Sequence, residues 1–376
     1  MAIKNYLLGS VIALLGLFGQ AHAQDGVTDT TIRIGQTAGV TGTVAAPVNE
    51  MNGGAQAYFH MLNKQGGIHG RKIELVTLDD KFDPALTKAN AENLIKRERV
   101  FSLFQGRGTP HNQGLLPLLT ENKMPLLAPA TGATVFHTPL HPWLFNVRAN
   151  YHVEIQAIIR HLTLTGLKHI SLLHVDDAFG RDGLAGFQQA MSDAGLTPVS
   201  ISTFARVDPD NDAAAAEVIK QDPRALIILS SSKNTVGVIK AIRKQGGAMQ
   251  LITLSNNSSE FFINDLGADG VGVIVSQVTP AQSNSTVLGQ EFLRAVKETN
   301  ATVSYASMEG YLNAKVLAEG LKRAGRDLTR EKFVKALESI KNLDFGGFVV
   351  SFGPTDHTGS EFVELTMIGK SGKFIR

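Results

Sequence analysis

Two hydrophobic patterns alternate along the chain from Thr31 onward. Short runs rich in β-branched and aliphatic residues recur as TIRIGQT (31–37), KIELVTLDD (72–80), VFSLF (100–104), MPLLAPA (124–130), HISLLHV (169–175), ALIILS (225–230) and VGVIVSQV (271–278). Between them apolar positions return every third or fourth residue, which predicts helices over 49–65, 84–97, 182–194, 213–221 and 235–245. Most of the strand runs are apolar at successive rather than alternate positions, so they need burial on both faces. Strands separated by helices are joined by right-handed crossovers into parallel sheets. The pattern predicts a doubly wound α/β protein. At 376 residues, 43% of them apolar, the chain is long enough for two lobes, each with its own core.

The first 23 residues follow a different pattern. Lys4 precedes an apolar run from Tyr6 to Phe18, and the small-x-small triplet Ala21-His22-Ala23 stands before Gln24. This is the anatomy of a secretory signal peptide cleaved after Ala23; the run is shorter than the roughly 20 residues a bilayer span needs. An exported chain meets disulfide chemistry, yet this one has no cysteine, which excludes both disulfide stapling and lipidation after the signal. The expectation is a soluble protein, free in a periplasm. A net charge of +2 from 36 basic and 34 acidic residues leaves no basic stripe for nucleic acid or anionic membrane.

Chemistry is sought at the carboxyl ends of the strands, where such sheets bind ligands. The turn FQGRGTP (104–110) lies at one of them. A dinucleotide fingerprint needs a third glycine where His111 stands, and no phosphate-loop motif occurs anywhere in the chain. What remains is a helix start, with Thr109 expected to cap, Pro110 at the first helical position, free backbone N–H groups and the Arg107 charge. Pro117 is expected to kink that helix. One strand later LLAPATGAT (126–134) offers a second bare turn with the Thr131 hydroxyl. Two such turns without a lysine suit a carboxylate better than a phosphate.

Catalytic and metal patterns are weak by comparison. SSSK (230–233) fits S-x-x-K, but no S-D-N or K-T-G accompanies it, and it follows a strand where a polar loop is expected. In HTPLH, Pro139 forbids the helix that would pair His137 with His141 on a metal. Asp79-Asp80 and Asp176-Asp177 end strands, where capping is the plainer role. No cofactor or metal is expected.

Together the segments IRIGQTAGVTG, NKQGGIHGRKIELVTLDDKFDP, GRGTP, MPLLAPATGAT and HVDDAFGRDG resemble the leucine/isoleucine/valine-binding branch of the type I periplasmic binding proteins, the solute receptors of ABC importers. The resemblance spans nearly all of the chain after residue 23. It implies two Rossmann-like lobes joined by three crossover strands, with the ligand enclosed between them. The lobes are expected at 29–147 with 280–355, and at 148–279 with 356–376. It further implies that the turns at Gly108-Thr109 and Ala130-Thr131-Gly132 hold the ligand carboxylate through hydroxyls and backbone N–H groups, which agrees with the anion site read from the turns themselves, where Arg107 adds a charge. Where the amino-acid binders commonly carry Tyr-Gly, this chain has Phe179-Gly180. Where they place an acid for the α-ammonium, it has Asn256 and Asn257, with Glu260 a turn later.

Three function classes fit such a fold. A transport receptor needs export, two lobes and a cleft without catalytic groups. A ligand-sensing regulator is opposed by the signal peptide, and a periplasmic hydrolase needs an activated nucleophile that is not visible. The expectation is therefore a non-enzymatic, monomeric receptor with a small carboxylate ligand and an inner-membrane ABC permease as partners. An α-ammonium buried in a closed cleft requires an acidic partner. With asparagines at its place, an aromatic or aliphatic acid is expected ahead of a branched-chain amino acid, unless Glu260 or Asp177 swings in.

Overall fold

A computed structural model describes residues 24–376; the expected signal peptide, 1–23, lies outside the described residues. The first sheet holds five parallel strands, β1 (Thr31–Ala38), β2 (Lys72–Asp79), β3 (Ser102–Phe104), β4 (Leu126–Leu127) and β5 (Leu144–Phe145), in the order β2-β1-β3-β4-β5. Helices α1 (Ala45–Lys64), α2 (Pro84–Lys96), α3 (Thr109–Gln113) and α4 (Leu116–Glu121) lie between these strands. The second sheet is built on β6 (Ile170–Val175), β7 (Ile201–Phe204), β8 (Ala225–Leu229), β9 (Gln250–Thr253) and β10 (Ile274–Gln277). Its helices are α5 (Tyr151–Leu164), α6 (Ala178–Asp193), α7 (Asn211–Lys220), α8 (Ser232–Lys244) and α9 (Glu260–Leu266). The chain then forms α10 (Val287–Thr299), α11 (Tyr305–Ala324), α12 (Arg330–Glu338) and a small hairpin of β11 (Leu343–Asp344) and β12 (Val349–Val350). It ends with β13 (Glu364–Ile368) and β14 (Phe374–Ile375) on the edge of the second sheet.

Burial follows the hydrophobic pattern. β6, β8 and β10 are buried at every position, and successive residues serve opposite layers. Leu172 and Ile227 pack with Ile155, Ile158 and Phe187 of α5 and α6. Their neighbours Leu173 and Leu226 pack with Val218, Ile239 and Phe262 of α7 to α9. In the first lobe Ile32, Ile34, Phe101 and Phe104 share one core with Leu288, Phe292, Leu312, Phe333 and Phe352, so α10 to α12 return to cover the first sheet. α1 and α11 approach backbone to backbone there. A Cβ on Gly54 would sit 1.7 Å from the Ser307 carbonyl oxygen, and one on Gly310 1.8 Å from that of Met51.

Three connections therefore join the lobes, after β5, after β10 and between β12 and β13. The first and third run side by side: Asn146 N donates to His357 O (2.8 Å) and Gly359 N to Asn146 O (2.7 Å).

Several local expectations shift. MPLLAPA yields only two strand residues, because Ala128 takes φ +55° and the flanking prolines donate nothing to a ladder. β13 and β14 are antiparallel, entering the sheet edge by the third crossing with no helix between them. The kink expected at Pro117 is a full break between α3 and α4: proline in the first turn of α4 has no N–H to continue the earlier helix. Among the described residues no helix is long and apolar enough to cross a membrane, and no cluster of His, Asp and Glu is placed to hold a metal.

Candidate functional site

The ends of β3 and β4 open into two turns that lie side by side, with Arg107 bridged to Ala130. Gly108 takes φ +100°, and a Cβ there would meet His111 Nδ1 at 2.5 Å and Phe82 at 3.0 Å, so the turn is open only to glycine. Gly108, not Thr109, occupies the cap position of α3, and no side chain caps that helix. This corrects the expectation that Thr109 caps. Its hydroxyl turns to the neighbouring turn and meets Thr131 Oγ1 at 2.7 Å, both residues being buried.

These turns form one wall of a narrow cleft between the lobes, whose cavity is about 30 Å³. Arg107, Gly108, Thr109 and Ala130 line it with Val44 and Phe82 from the first lobe. Tyr151, Phe179, Arg206, Ser231 and Asn256 face them. Six of the residues singled out in the sequence thus reach the lining: Arg107, Gly108, Thr109, Ala130, Phe179 and Asn256. Thr131 stands directly behind Thr109, and Gly132 behind that, where a Cβ would be 2.9 Å from Tyr151 N. Asn257 does not reach the cleft. It is fully buried, its amide nitrogen donating to Thr253 Oγ1 (2.8 Å) and Thr235 Oγ1 (3.2 Å) while its oxygen accepts from Ser232 Oγ (2.8 Å).

Charge in the cleft is one-sided. Arg107 is only 8% exposed, and among the described residues no carboxylate oxygen lies within 4 Å of it. Its one hydrogen bond runs across the cleft from Nη2 to the backbone carbonyl of Asn256, 2.8 Å away. Burial pulls its pKa below the usual arginine value; Tyr151 and Glu309 oppose this, and the Arg148 charge adds to it. Arg206 is paired with Asp177, so the two cancel, and its guanidinium lies 5.3 Å from the Phe82 ring centre. No Asp or Glu lines the cleft.

The acids expected as replacements are engaged elsewhere. Asp177 caps α6 through Gly180 N (3.0 Å) besides holding Arg206. Glu260 lies in a separate surface depression with Glu50. There the Glu50 carboxylate, from the first lobe, accepts from Glu260 N and Phe261 N, each at 2.9 Å.

Behind the cleft, where the crossings meet, sits a buried charge cluster of one arginine and two carboxylates, in which one Glu309 carboxylate oxygen has no hydrogen-bond partner. Arg148 donates to Glu154 and to Ser255 Oγ (2.6 Å) and lies 3.5 Å from Glu309. Burial alone would lower its pKa, but Glu309 and Glu154 outweigh burial and raise it. Burial likewise raises Glu309, against the pull of Arg148 and Arg107. The Arg148 guanidinium also lies 5.2 Å from the ring centre of Tyr151, which packs edge-on to Phe179.

Tyr151, Arg206, Phe82, Val44 and Ser231 were not singled out in the sequence. Val44, Phe82 and Ser231 each follow a strand end, a signal the doubly wound pattern carried. Tyr151 begins the helix after the first crossing, and Arg206 sits in a polar loop with no signal of its own.

A sequence model of the periplasmic binding protein family matches residues 31–373. "Leu/Ile/Val-binding protein homolog 3" of Brucella melitensis is 23% identical over 372 residues, covering 96% of each chain. "Leu/Ile/Val-binding protein BraC3" of Rhizobium johnstonii is 24% identical and covers 97% of each. Among solved structures, a substrate-binding periplasmic protein from Ralstonia solanacearum superposes with a TM-score of 0.86 at 28% identity, over 92% of this chain and 99% of that one. A match along both lobes and the strands that join them leaves one conclusion: the chain belongs to the periplasmic binding proteins of type I, a family of solute receptors rather than enzymes.

Proposed function

We propose that this chain is the periplasmic receptor of an ABC importer of the branched-chain amino acid type, and that it encloses a small carboxylate without an α-ammonium. The observation that carries the ligand class is the lining itself: a buried arginine with no carboxylate in direct contact, the nearest charge of opposite sign being Glu309 behind it, and no acid in the lining to face it. Burying a lone guanidinium is costly, so a ligand that brings the missing negative charge gains what the protein alone forgoes. In this reading Arg107 supplies the charge, the turns at Gly108-Thr109 and Ala130-Thr131-Gly132 supply hydroxyl and N–H donors, and Phe82, Tyr151 and Phe179 wall the apolar part. Asn256 faces the ligand, while Asn257 holds the loop beneath it. Aromatic or aliphatic acids suit that combination.

The lobes take the boundaries 29–147 with 280–355 and 148–279 with 356–376, and the hinge is the set of three crossings. Closure is driven by the ligand's greater affinity for the closed arrangement, which then docks on an inner-membrane permease. The receptor acts as an exported monomer without a cofactor.

A second reading has its own support. The curated relatives that cover nearly the whole chain are named for leucine, isoleucine and valine. Calorimetric titration of the protein without its first 23 residues against aromatic acids, aliphatic acids and these three amino acids separates the two. The account expects saturable heat with acids and none with leucine or valine; the reverse result establishes the second reading.

A further inference from the structure

The amide of Asn256 has an orientation that its neighbours dictate. Its nitrogen faces two acceptors, the Ser230 carbonyl at 2.8 Å and Asn257 Oδ1 at 3.3 Å. Asn257 is itself fixed, because its oxygen accepts from Ser232 and its nitrogen donates to Thr253 and Thr235. Flipping Asn256 would set its oxygen against both acceptors. The side chain must therefore keep Nδ2 toward Ser230 and turn Oδ1 away.

That oxygen is buried and has no hydrogen-bond partner, and Asn256 belongs to the cleft lining. Ser230 Oγ is also buried and unpartnered, but Ser230 does not line the cleft. A buried acceptor left unpaired costs the full desolvation of the group. It thus selects for a ligand that brings a donor. The charge of that donor is constrained as well, since Arg107 donates to the backbone carbonyl of the same residue. A second cation here would face the Arg107 guanidinium in a cleft with no acid in its lining.

Resting on the anion-site reading above, we propose that the ligand is a hydroxy acid whose neutral hydroxyl donates to Asn256 Oδ1 while its carboxylate meets Arg107 and the threonine turns. The hydroxyl stands where an amino-acid receptor would take an ammonium. Its source is either the carbon next to the carboxylate or an aromatic ring, and the chemistry at Asn256 is the same for both.

The test is a titration of the wild-type protein with two matched pairs, 3-phenyllactate against 3-phenylpropionate and 4-hydroxyphenylacetate against phenylacetate. In at least one pair the hydroxylated member is expected to bind about tenfold tighter or more, since a site with a buried polar group rejects the analogue that leaves it unpaired. The pair that shows the preference identifies the hydroxyl's position. In Asn256→Ala the ratio within that pair should fall to about twofold or less. Equal affinities within both pairs in the wild type, or a preference that survives Asn256→Ala, overturn the inference while leaving the anion site standing. No heat from any of the four acids overturns the inference; the anion site itself falls only if the aliphatic acids titrated above are silent as well.

Discussion

Arg107 and Arg148 are both buried, 8% and 3% exposed, and stand near enough that each charge bears on the other. They are treated in opposite ways. Arg148 has Glu154 and Glu309 around it and Ser255 beside it, and Glu154 takes further donors from Ser255 N (3.0 Å) and Ser276 Oγ (2.5 Å). That cluster draws residues from the first crossing, α5, α11 and the strand before the second crossing, so it fastens the hinge. Arg107 receives a single backbone carbonyl from the opposite lobe. A buried charge with all its partners in the protein serves the fold. A buried charge with no carboxylate in contact, only a carbonyl and the more distant pull of Glu309, is available to something else, and its position between the two threonine turns indicates a carboxylate.

The largest consequence of this difference falls on stability. Arg148→Met would leave two buried carboxylates near each other without a counter-charge in contact, a loss of about 3 to 5 kcal/mol. Urea unfolding monitored by circular dichroism reads it directly. A midpoint shift no larger than that of an exposed arginine would remove the claim that this cluster fastens the hinge.

Next comes the threonine pair. Thr109→Ala or Thr131→Ala should each weaken carboxylate binding by about 1.5 to 3 kcal/mol, the range for a hydrogen bond to a charged group. Calorimetry showing unchanged affinity in both variants would take these turns out of the site, whatever Arg107 does.

The smallest expected effect lies at the rim. Glu50 accepts from the first two N–H groups of α9 across the lobes, a contact that forms only when the lobes meet. Glu50→Gln keeps the shape and removes the charge, for about 0.3 to 1 kcal/mol of affinity. Scattering curves with a bound acid should show the same compact form in both proteins; a Glu50→Gln protein that stays extended would mean this contact governs closure instead of trimming it.

Much of the fold was legible because burial on both faces writes itself as unbroken apolar runs, and β6 and β8 are the clearest cases. Strand ends were less visible. In β4 the positive φ of Ala128 and the two prolines stop the ladder inside an apolar run, and periodicity has no term for either. Helices α10 to α12 lie beyond the helical patterns named in the sequence; the resemblance alone assigned their stretch to the first lobe, and the shared core shows the packing that puts them there.

The site was legible on one side. The turns at 104–110 and 126–134 are local, so glycine, proline and hydroxyl residues at strand ends announced them. The facing wall is assembled from segments far apart in the chain. Tyr151 and Arg206 reach the cleft only because the lobes meet, and nothing in their local sequence reports that. Asn256 and Asn257 are identical in type and adjacent; the short 3₁₀ turn at Ser255–Asn257 points one into the cleft and the other into the core.

The central claim is that Arg107 is held without a carboxylate in contact for the sake of the ligand. Its most direct test compares Arg107→Met with the wild type in two measurements on the same samples: thermal unfolding without ligand, and titration with an acid that the wild type binds. The account predicts an unfolding temperature equal to or above that of the wild type, because a buried charge has been replaced by an apolar chain, together with a loss of affinity of about 30-fold or more. An Arg107→Met protein that unfolds well below the wild type yet binds the acid as tightly would contradict it.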